Sequence, residues 1–201
     1  MSAIQIEKPK ILIVEGRDDE LFFSSLLNST SVGDVQVMPI GGKTQLTKNL
    51  KALQNAPNFD RIESMGIIRD GDSDPQGAFQ SVCNSLTTVN LHAPSTLGVS
   101  QGSNPRTAVF VLPDGATPGM LEDLCIESIS STPIMECIDK YFDCIEKRGL
   151  PFPSNMSKAK AHTFLAAQQQ TGKRLGEAAA AGYWPFHHPA YDPIKEFFQI
   201  L

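Results

Sequence analysis

Ile11-Leu-Ile-Val14 is an unbroken apolar run rich in β-branched residues. It is too short for a helix and too uniformly apolar for a strand with one wet face, so it predicts a central strand of a parallel sheet. From Asp18 the spacing becomes helical, with Leu21, Phe22, Ser25 and Leu26 on one face and Asp18 at the N-cap. Val35–Pro39 predicts a second strand. Leu46, Leu50 and Leu53 predict a second helix behind the turn Gly41-Gly42-Lys43-Thr44. Residues 64 to 70 supply a third strand and Gly77 to Leu86 a third helix. A loop rich in Pro, Ser, Gly and Asn over 90 to 106 precedes a fourth strand, Thr107 to Leu112. The helix that starts near Gly119 has an acidic first turn, as the helix dipole favours. This alternation predicts an α/β fold, doubly wound around a mainly parallel four-stranded sheet.

Beyond Pro133 the strand patterns stop, and helical spacing covers 134 to 147, 158 to 170, 173 to 182 and 193 to 201. The expected organisation is an α/β domain over 8 to 130 and a helical extension over 131 to 201, packed together as one structural unit. Eight of the 17 Lys and Arg residues fall in the extension (Lys140, Lys147, Arg148, Lys158, Lys160, Lys173, Arg174 and Lys195). The extension is thus one candidate for a phosphate-contacting face, through Lys158 and Lys160.

With 201 residues, 41% hydrophobic and 19% charged, the chain can bury one good core. A net charge of −5 argues against a broad basic surface, so a polyanion would need a metal ion or a local basic patch. Cys83, Cys125, Cys137 and Cys144 lack metal-finger spacing and sit mostly at apolar helix positions, which predicts core thiols. Neither a secretory signal nor an apolar run long enough for a membrane span is found, and a cytoplasmic location is expected.

The chemistry concentrates where strands end. Met65-Gly-Ile-Ile-Arg-Asp70-Gly-Asp72-Ser-Asp74 runs from buried apolar residues into three carboxylates at alternate positions. Residues two apart on an extended chain point the same way, so these acids can converge, with Gly71 allowing a bend. Three carboxylates within about 7 Å would repel by about 1 kcal/mol per pair unless a hard cation neutralised them. As a polar turn the same stretch would bind nothing. Glu15 ends the first strand and Asp114 the fourth, with Glu122 and Asp123 just beyond. In open parallel sheets ligands bind outside the carboxyl ends of the strands. If strands one and three are neighbours, Glu15 and Asp70/Asp72 face each other across about 4.8 Å. Such a site suits Mg²⁺.

A strand running into Val14-Glu15-Gly16, Asp19 four residues past the glutamate, Gly-Gly-Lys after the second strand and Asp70-Gly-Asp72 after the third resemble the Toprim domain. That domain is shared by primases, topoisomerases, small recombination nucleases and the OLD nucleases. The resemblance implies that Glu15 takes part in acid/base chemistry or metal binding and that Asp70 and Asp72 hold a divalent metal. Asp19, Leu121-Glu122 and Lys158 or Lys160 are similar to features of the OLD-like branch, which implies a second ion at Asp19 and Glu122. The Lys158-Ala-Lys160-Ala-His162 stretch and the closing Phe197-Phe-Gln-Ile-Leu201 are similar to small stand-alone bacterial proteins related to that branch.

The function expected is a Mg²⁺- or Mn²⁺-dependent nuclease, or related phosphodiester-transfer enzyme, using one or two ions. Its partner would be nucleic acid, DNA ahead of RNA, with a separate ATPase or a homo-oligomer as further partners. Glu15, Lys158 and Lys160 are the catalytic candidates. Asp70, Asp72, Glu15, Asp19, Glu122 and Asp74 are the metal candidates, and Gly42 and Lys43 those for substrate. Gly41-Gly42-Lys43-Thr44 is not a Walker A loop, because Val37 stands where that motif needs glycine. One alternative is a catalytically silent Toprim fold serving as a binding module. Another is a phospho-receiver-like domain, although the second aspartate of Asp70/Asp72 has no role there. His187-His188 reads as a loop between prolines, and Tyr183, Trp184 and Phe186 as packing of the extension.

Overall fold

The computed structural model describes residues 4–42 and 44–201. Lys43, expected to contact substrate, lies outside them. The strands are β1 Lys10–Val14, β2 Val35–Pro39, β3 Ser64–Asp70 and β4 Arg106–Leu112. They form one sheet in the order β2-β1-β3-β4, parallel at every pairing. The helices between them are α1 Arg17–Asn28, α2 Leu46–Gln54 and α3 Pro75–Thr88. α4 Leu121–Ile129 and α5 Pro133–Lys147 follow the last strand. α6 Met156–Ala166, α7 Leu175–Ala180 and α8 Asp192–Gln199 complete the chain.

The sheet is covered on both faces, which is why its strands are apolar throughout. Ile11, Ile13, Met65, Ile67, Val109 and Val111 point into a core shared with Leu46, Leu50 and Leu53 of α2 and Phe79, Val82 and Leu86 of α3. Leu12, Val14, Ile68, Phe110 and Leu112 point the other way, toward Phe22 and Leu26 of α1, Leu124 of α4 and the C-terminal helices. Phe164, Leu175, Trp184, Ile194, Phe197 and Leu201 belong to that second core. The extension is thus the cover of one sheet face, and its apolar positions cannot leave without exposing β1, β3 and β4.

Gly66 and Gly176 each sit where an added side chain would force a neighbour to move. A Cβ on Gly66, mid-strand in β3, would lie 2.7 Å from Leu201 Cδ2 and 3.2 Å from Phe197 Cε1, so the chain terminus packs directly on strand backbone. A Cβ on Gly176 would collide with the carbonyl oxygen of Asp18, and the Gly176 N–H donates to Asp18 Oδ1 at 2.9 Å. Asp18 is therefore not the N-cap expected from the sequence. Gly16 takes that position, and the carboxylate of Asp19 reaches back to accept its N–H at 2.9 Å.

The thiols divide. Cys83 and Cys125 are core residues as expected, but Cys137 and Cys144 are exposed on α5. α5 buries Met135, Ile138 and Phe142, and the two cysteines fall on its other side. Trp184 is buried, its indole N–H donating to the Leu175 carbonyl at 3.0 Å. Its neighbours Tyr183 and Phe186 pack against the same core. His188 Nδ1 accepts the Ala190 N–H at 3.1 Å within its loop. No helix among the described residues is long and apolar enough to cross a membrane.

Candidate functional site

β1 and β3 are neighbours with Ile13 opposite Ile67, and two more residues of that register bring Glu15 opposite Arg69. Glu15 thus does not face the Asp70/Asp72 pair directly across the strand gap; a cation does. Arg69 Nη1 lies 3.0 Å from Glu15 Oε1, with the arginine side chain 5% and the glutamate 28% exposed. Burial pulls the guanidinium below its ordinary pKa, and Glu15 and Asp70 push it back up. The Gly41-Gly42 turn lies over this pair, close enough that a Cβ on Gly42 would be 3.7 Å from Glu15 Oε2.

Asp70 belongs to the opposite face of β3, where its Oδ1 accepts the N–H of Leu121, the first residue of α4, at 3.2 Å. An anion at a helix N-terminus is favoured by the dipole and by the unsatisfied amides there. Asp19, in the first turn of α1, joins the same acidic edge. Its carboxyl is pushed up to about 6, mainly by burial and further by Asp70, Glu15 and Asp18, while the Gly16 N–H works against the rise. Asp19 on α1 therefore feels both Glu15, just past β1, and Asp70, at the end of β3.

The stretch after Asp70 is held to β4. Gly71 N–H donates to the Leu112 carbonyl at 3.1 Å and Asp72 N–H to the Gly119 carbonyl at 2.7 Å. Gly71 is required for that approach, since its Cβ would sit 2.7 Å from the Leu112 oxygen. The bend expected of it is made by Asp72, whose φ of +46° is left-handed, a conformation that Asp and Asn tolerate best among residues with a side chain. Asp74 caps α3, its Oδ1 accepting from Gly77 N–H at 2.9 Å. Asp72, Asp74 and Arg69 line one cavity of about 250 Å³ together with Ser73 and Ser81. Asp114 is spent on its own turn: it accepts from the N–H groups of Ala116 and Thr117 and from the Thr117 hydroxyl, and it is held below the usual carboxylate range.

The helical extension reaches this edge through α6. Lys158 Nζ is 3.9 Å from Glu122 in the first turn of α4. The Ser157 hydroxyl donates to Asp123, whose other oxygen accepts the Met120 N–H at 2.8 Å and so caps α4. Lys160, the other candidate on α6, turns to α5 and pairs with Asp139 at 2.6 Å. The structure therefore brings Lys158 to the acidic edge and takes Lys160 away from it.

Arg69 is a site residue that motif spacing does not single out. Its signal in the sequence is of another kind: it is the one charged residue between Met65 and Asp70, and a cation in a strand buried on both faces needs an anion beside it.

The donors at this edge are all carboxylate oxygens, which suit a hard cation. Among the described residues no group of three or more His, Cys, Asp or Glu side chains is arranged to hold a metal ion. Mg²⁺, which can be held by one or two carboxylates while keeping its waters, would need no such group.

A family model described as a protein of unknown function (DUF3226) matches residues 9–201, so the chain belongs to that family. No curated protein and no solved structure matches the chain.

Proposed function

We propose, taking membership of that family as the premise, that the protein is a divalent-metal-dependent nuclease or related phosphodiester-cleaving enzyme with a Toprim-like site. The observation that carries the reading is the gathering of Glu15, Asp19 and Asp70 where adjacent parallel strands end, with burial above all, and then these neighbouring acids, pushing Asp19 up to about 6. A folded protein that keeps such mutual repulsion has a use for a cation there. Asp70 and Asp72 would hold Mg²⁺ or Mn²⁺, with Glu15 sharing it, and Asp19 and Glu122 would serve a second ion. A cation bound there would neutralise a phosphate and make a bound water more acidic.

The remaining roles fall to the chain itself. Arg69 fixes the Glu15 carboxylate in direction. Glu15, partly exposed, can accept a proton from an attacking water. Lys158, exposed beside Glu122, stabilises charge developing on the phosphate. Nucleic acid, DNA ahead of RNA, is the substrate in this reading, and a separate ATPase is a further partner. A cytoplasmic location accords with the four free thiols.

The test is cleavage of DNA and RNA by purified protein in Mn²⁺ or Mg²⁺ and not in EDTA, with Glu15→Gln and Asp72→Asn each abolishing it. A contaminating nuclease would ignore both substitutions. A catalytically silent binding module is the second reading, favoured by the lack of a three-ligand group among the described residues. Equal cleavage by wild type and variants, or none with any metal or substrate, would leave that second reading standing.

A further inference from the structure

We propose that α5 and the segment following it form the contact face between two copies of this chain, packed antiparallel about a two-fold axis near Lys140 and Tyr141. Among the described residues the exposed large hydrophobics are Val99 (41%), Tyr141 (54%), Leu150 (52%) and Phe152 (46%), and three of the four fall within twelve residues of one another on this face. Two of them are joined through Phe142, whose ring contacts that of Tyr141 at 5.0 Å and that of Phe152 at 6.4 Å. Phe142 itself is buried, so the row runs from the core outward to solvent. Scattered exposed apolar residues need no explanation, but a joined aromatic and aliphatic patch marks a contact surface.

Charge decides what covers it. From Pro133 to Phe152 the acids are Glu136, Asp139, Asp143 and Glu146 and the bases Lys140, Lys147 and Arg148. This mixed surface repels a polyanion at least as much as it attracts one, which disfavours nucleic acid. It is complementary to itself. Glu136 and Asp139 lie toward the start of α5, and Lys147 and Arg148 lie at its end. Centred between Lys140 and Tyr141, an antiparallel copy sets Glu136 of each chain opposite Ile145 of the other, about 3 Å along the helix from Lys147, so the acidic start of each helix meets the basic end of the other, and the two helix dipoles also oppose. The one ion pair that this rearranges, Lys140 with Glu136, is about 70% exposed on both sides and holds little energy.

The geometry is specific about the cysteines. Cys137 and Cys144 are seven residues apart, two helical turns or about 10.5 Å along α5, and both are exposed on nearly the same side. An antiparallel pairing centred between Lys140 and Tyr141 places Cys137 of one copy beside Cys144 of the other, twice. A parallel pairing would place like beside like. A helix pair with its flanking segment is a small interface, near the lower bound of about 1,200 Å² for stable association, so the dimer should dissociate on dilution.

Light scattering after size exclusion, at tens of micromolar protein, should give twice the mass of the chain, falling toward one on dilution. Tyr141→Glu should give the monomer mass, with the melting temperature that wild type shows when diluted to monomer, since the side chain is exposed. Phe152→Ser should do the same and serves if the first variant misfolds. A short bis-maleimide should cross-link the wild type. Cys137→Ser alone and Cys144→Ser alone should each lose the cross-link, and mixing the two variants should restore it. Cys83 and Cys125 are buried and stay silent. Monomer at every concentration, a dimer indifferent to both surface variants, or single-cysteine variants that cross-link as well as wild type would each overturn the proposal. So would a monomer whose binding to an oligonucleotide depends on Tyr141.

Discussion

Asp19→Asn measures what it costs to keep a charged carboxylate buried at the acidic edge. The variant keeps an oxygen to accept the Gly16 N–H, which Asp19 Oδ2 takes at 2.9 Å, so the start of α1 is preserved. What it removes is the charge. The Asp19 carboxyl moves from its ordinary 3.8 to about 6 on folding, mostly through burial and then through Asp70, Glu15 and Asp18. A folded-state value above the unfolded one means that the native protein binds the proton more tightly. Stability is therefore highest below about pH 4, falls as pH rises between the two values, and stays reduced above pH 6. The shift of about two pKa units corresponds to about 3 kcal/mol, reduced to about 2 kcal/mol because the side chain retains some solvent contact. Asp19→Asn should therefore be more stable than wild type by about 2 kcal/mol at pH 7.5 in EDTA, a rise of about 4 to 8 °C for a chain of this size. The advantage should shrink through pH 6 and 5 and vanish near pH 4. Thermal melts across pH 4 to 8 read it. A constant offset at all pH values, or no gain at pH 7.5, would refute the claim that the acids strain the fold.

Arg69→Met should cost about 3 kcal/mol in urea unfolding, because it leaves Glu15 in a part-buried site without this cation, and Arg69→Lys should recover part of the loss. A loss below about 1 kcal/mol would show that Arg69 is not what balances the glutamate. Gly66→Ala should destabilise by about 1 to 3 kcal/mol through overpacking against Leu201 and Phe197, and Leu201→Ala in the same chain should give less than the sum of the two losses. Strict additivity would mean that the terminus does not pack on β3. If nucleic acid binds at the acidic edge, Lys158→Ala should reduce the salt slope of binding by about 0.7 to 0.9, the change that accompanies one fewer neutralised phosphate, whereas Lys160→Ala should leave it unchanged. Equal effects in fluorescence anisotropy would put the substrate face elsewhere.

The strands were legible because burial on both faces leaves a continuous apolar signature. Val35–Pro39 and the strand over 64 to 70 match the structure residue for residue, and the other two differ by one residue at the start. Helix starts were less legible, because Asp18, the cap expected from local sequence, is instead engaged by a residue 158 positions away, Gly176. Reading Asp18 as a cap rests on local propensity, and the approach of α7 outweighs it. The same limit applies to the cysteines. An apolar-looking residue on an amphipathic helix is core only on the inward side, and for α5 that side is set by Met135, Ile138 and Phe142 together.

The spacing of acids in sequence identified the edge but not its internal arrangement, and the reason lies in register. Alternation along β3 sends Arg69 to the α2/α3 side and Asp70 to the α1/α4 side. Glu15, in step with Ile11 and Ile13, must then meet the arginine first. A run of alternating aspartates suggests three equivalent ligands, whereas the fold gives each a different neighbour: Asp70 the amide of Leu121, Asp72 the carbonyl of Gly119 through its own N–H, and Asp74 the first turn of α3. Asp74 is thereby committed to structure. Asp70 has a partner that an ion could share, since an amide donor leaves carboxylate lone pairs free. Asp72 is the informative position of the three. Its left-handed backbone is stored strain of about 1 kcal/mol, which glycine would relieve. Asp72→Gly should therefore raise the melting temperature in EDTA by about 2 to 4 °C while removing any further rise with Mg²⁺. A variant that gains stability and still responds to Mg²⁺ would remove Asp72 from the metal site and leave its strain without that account.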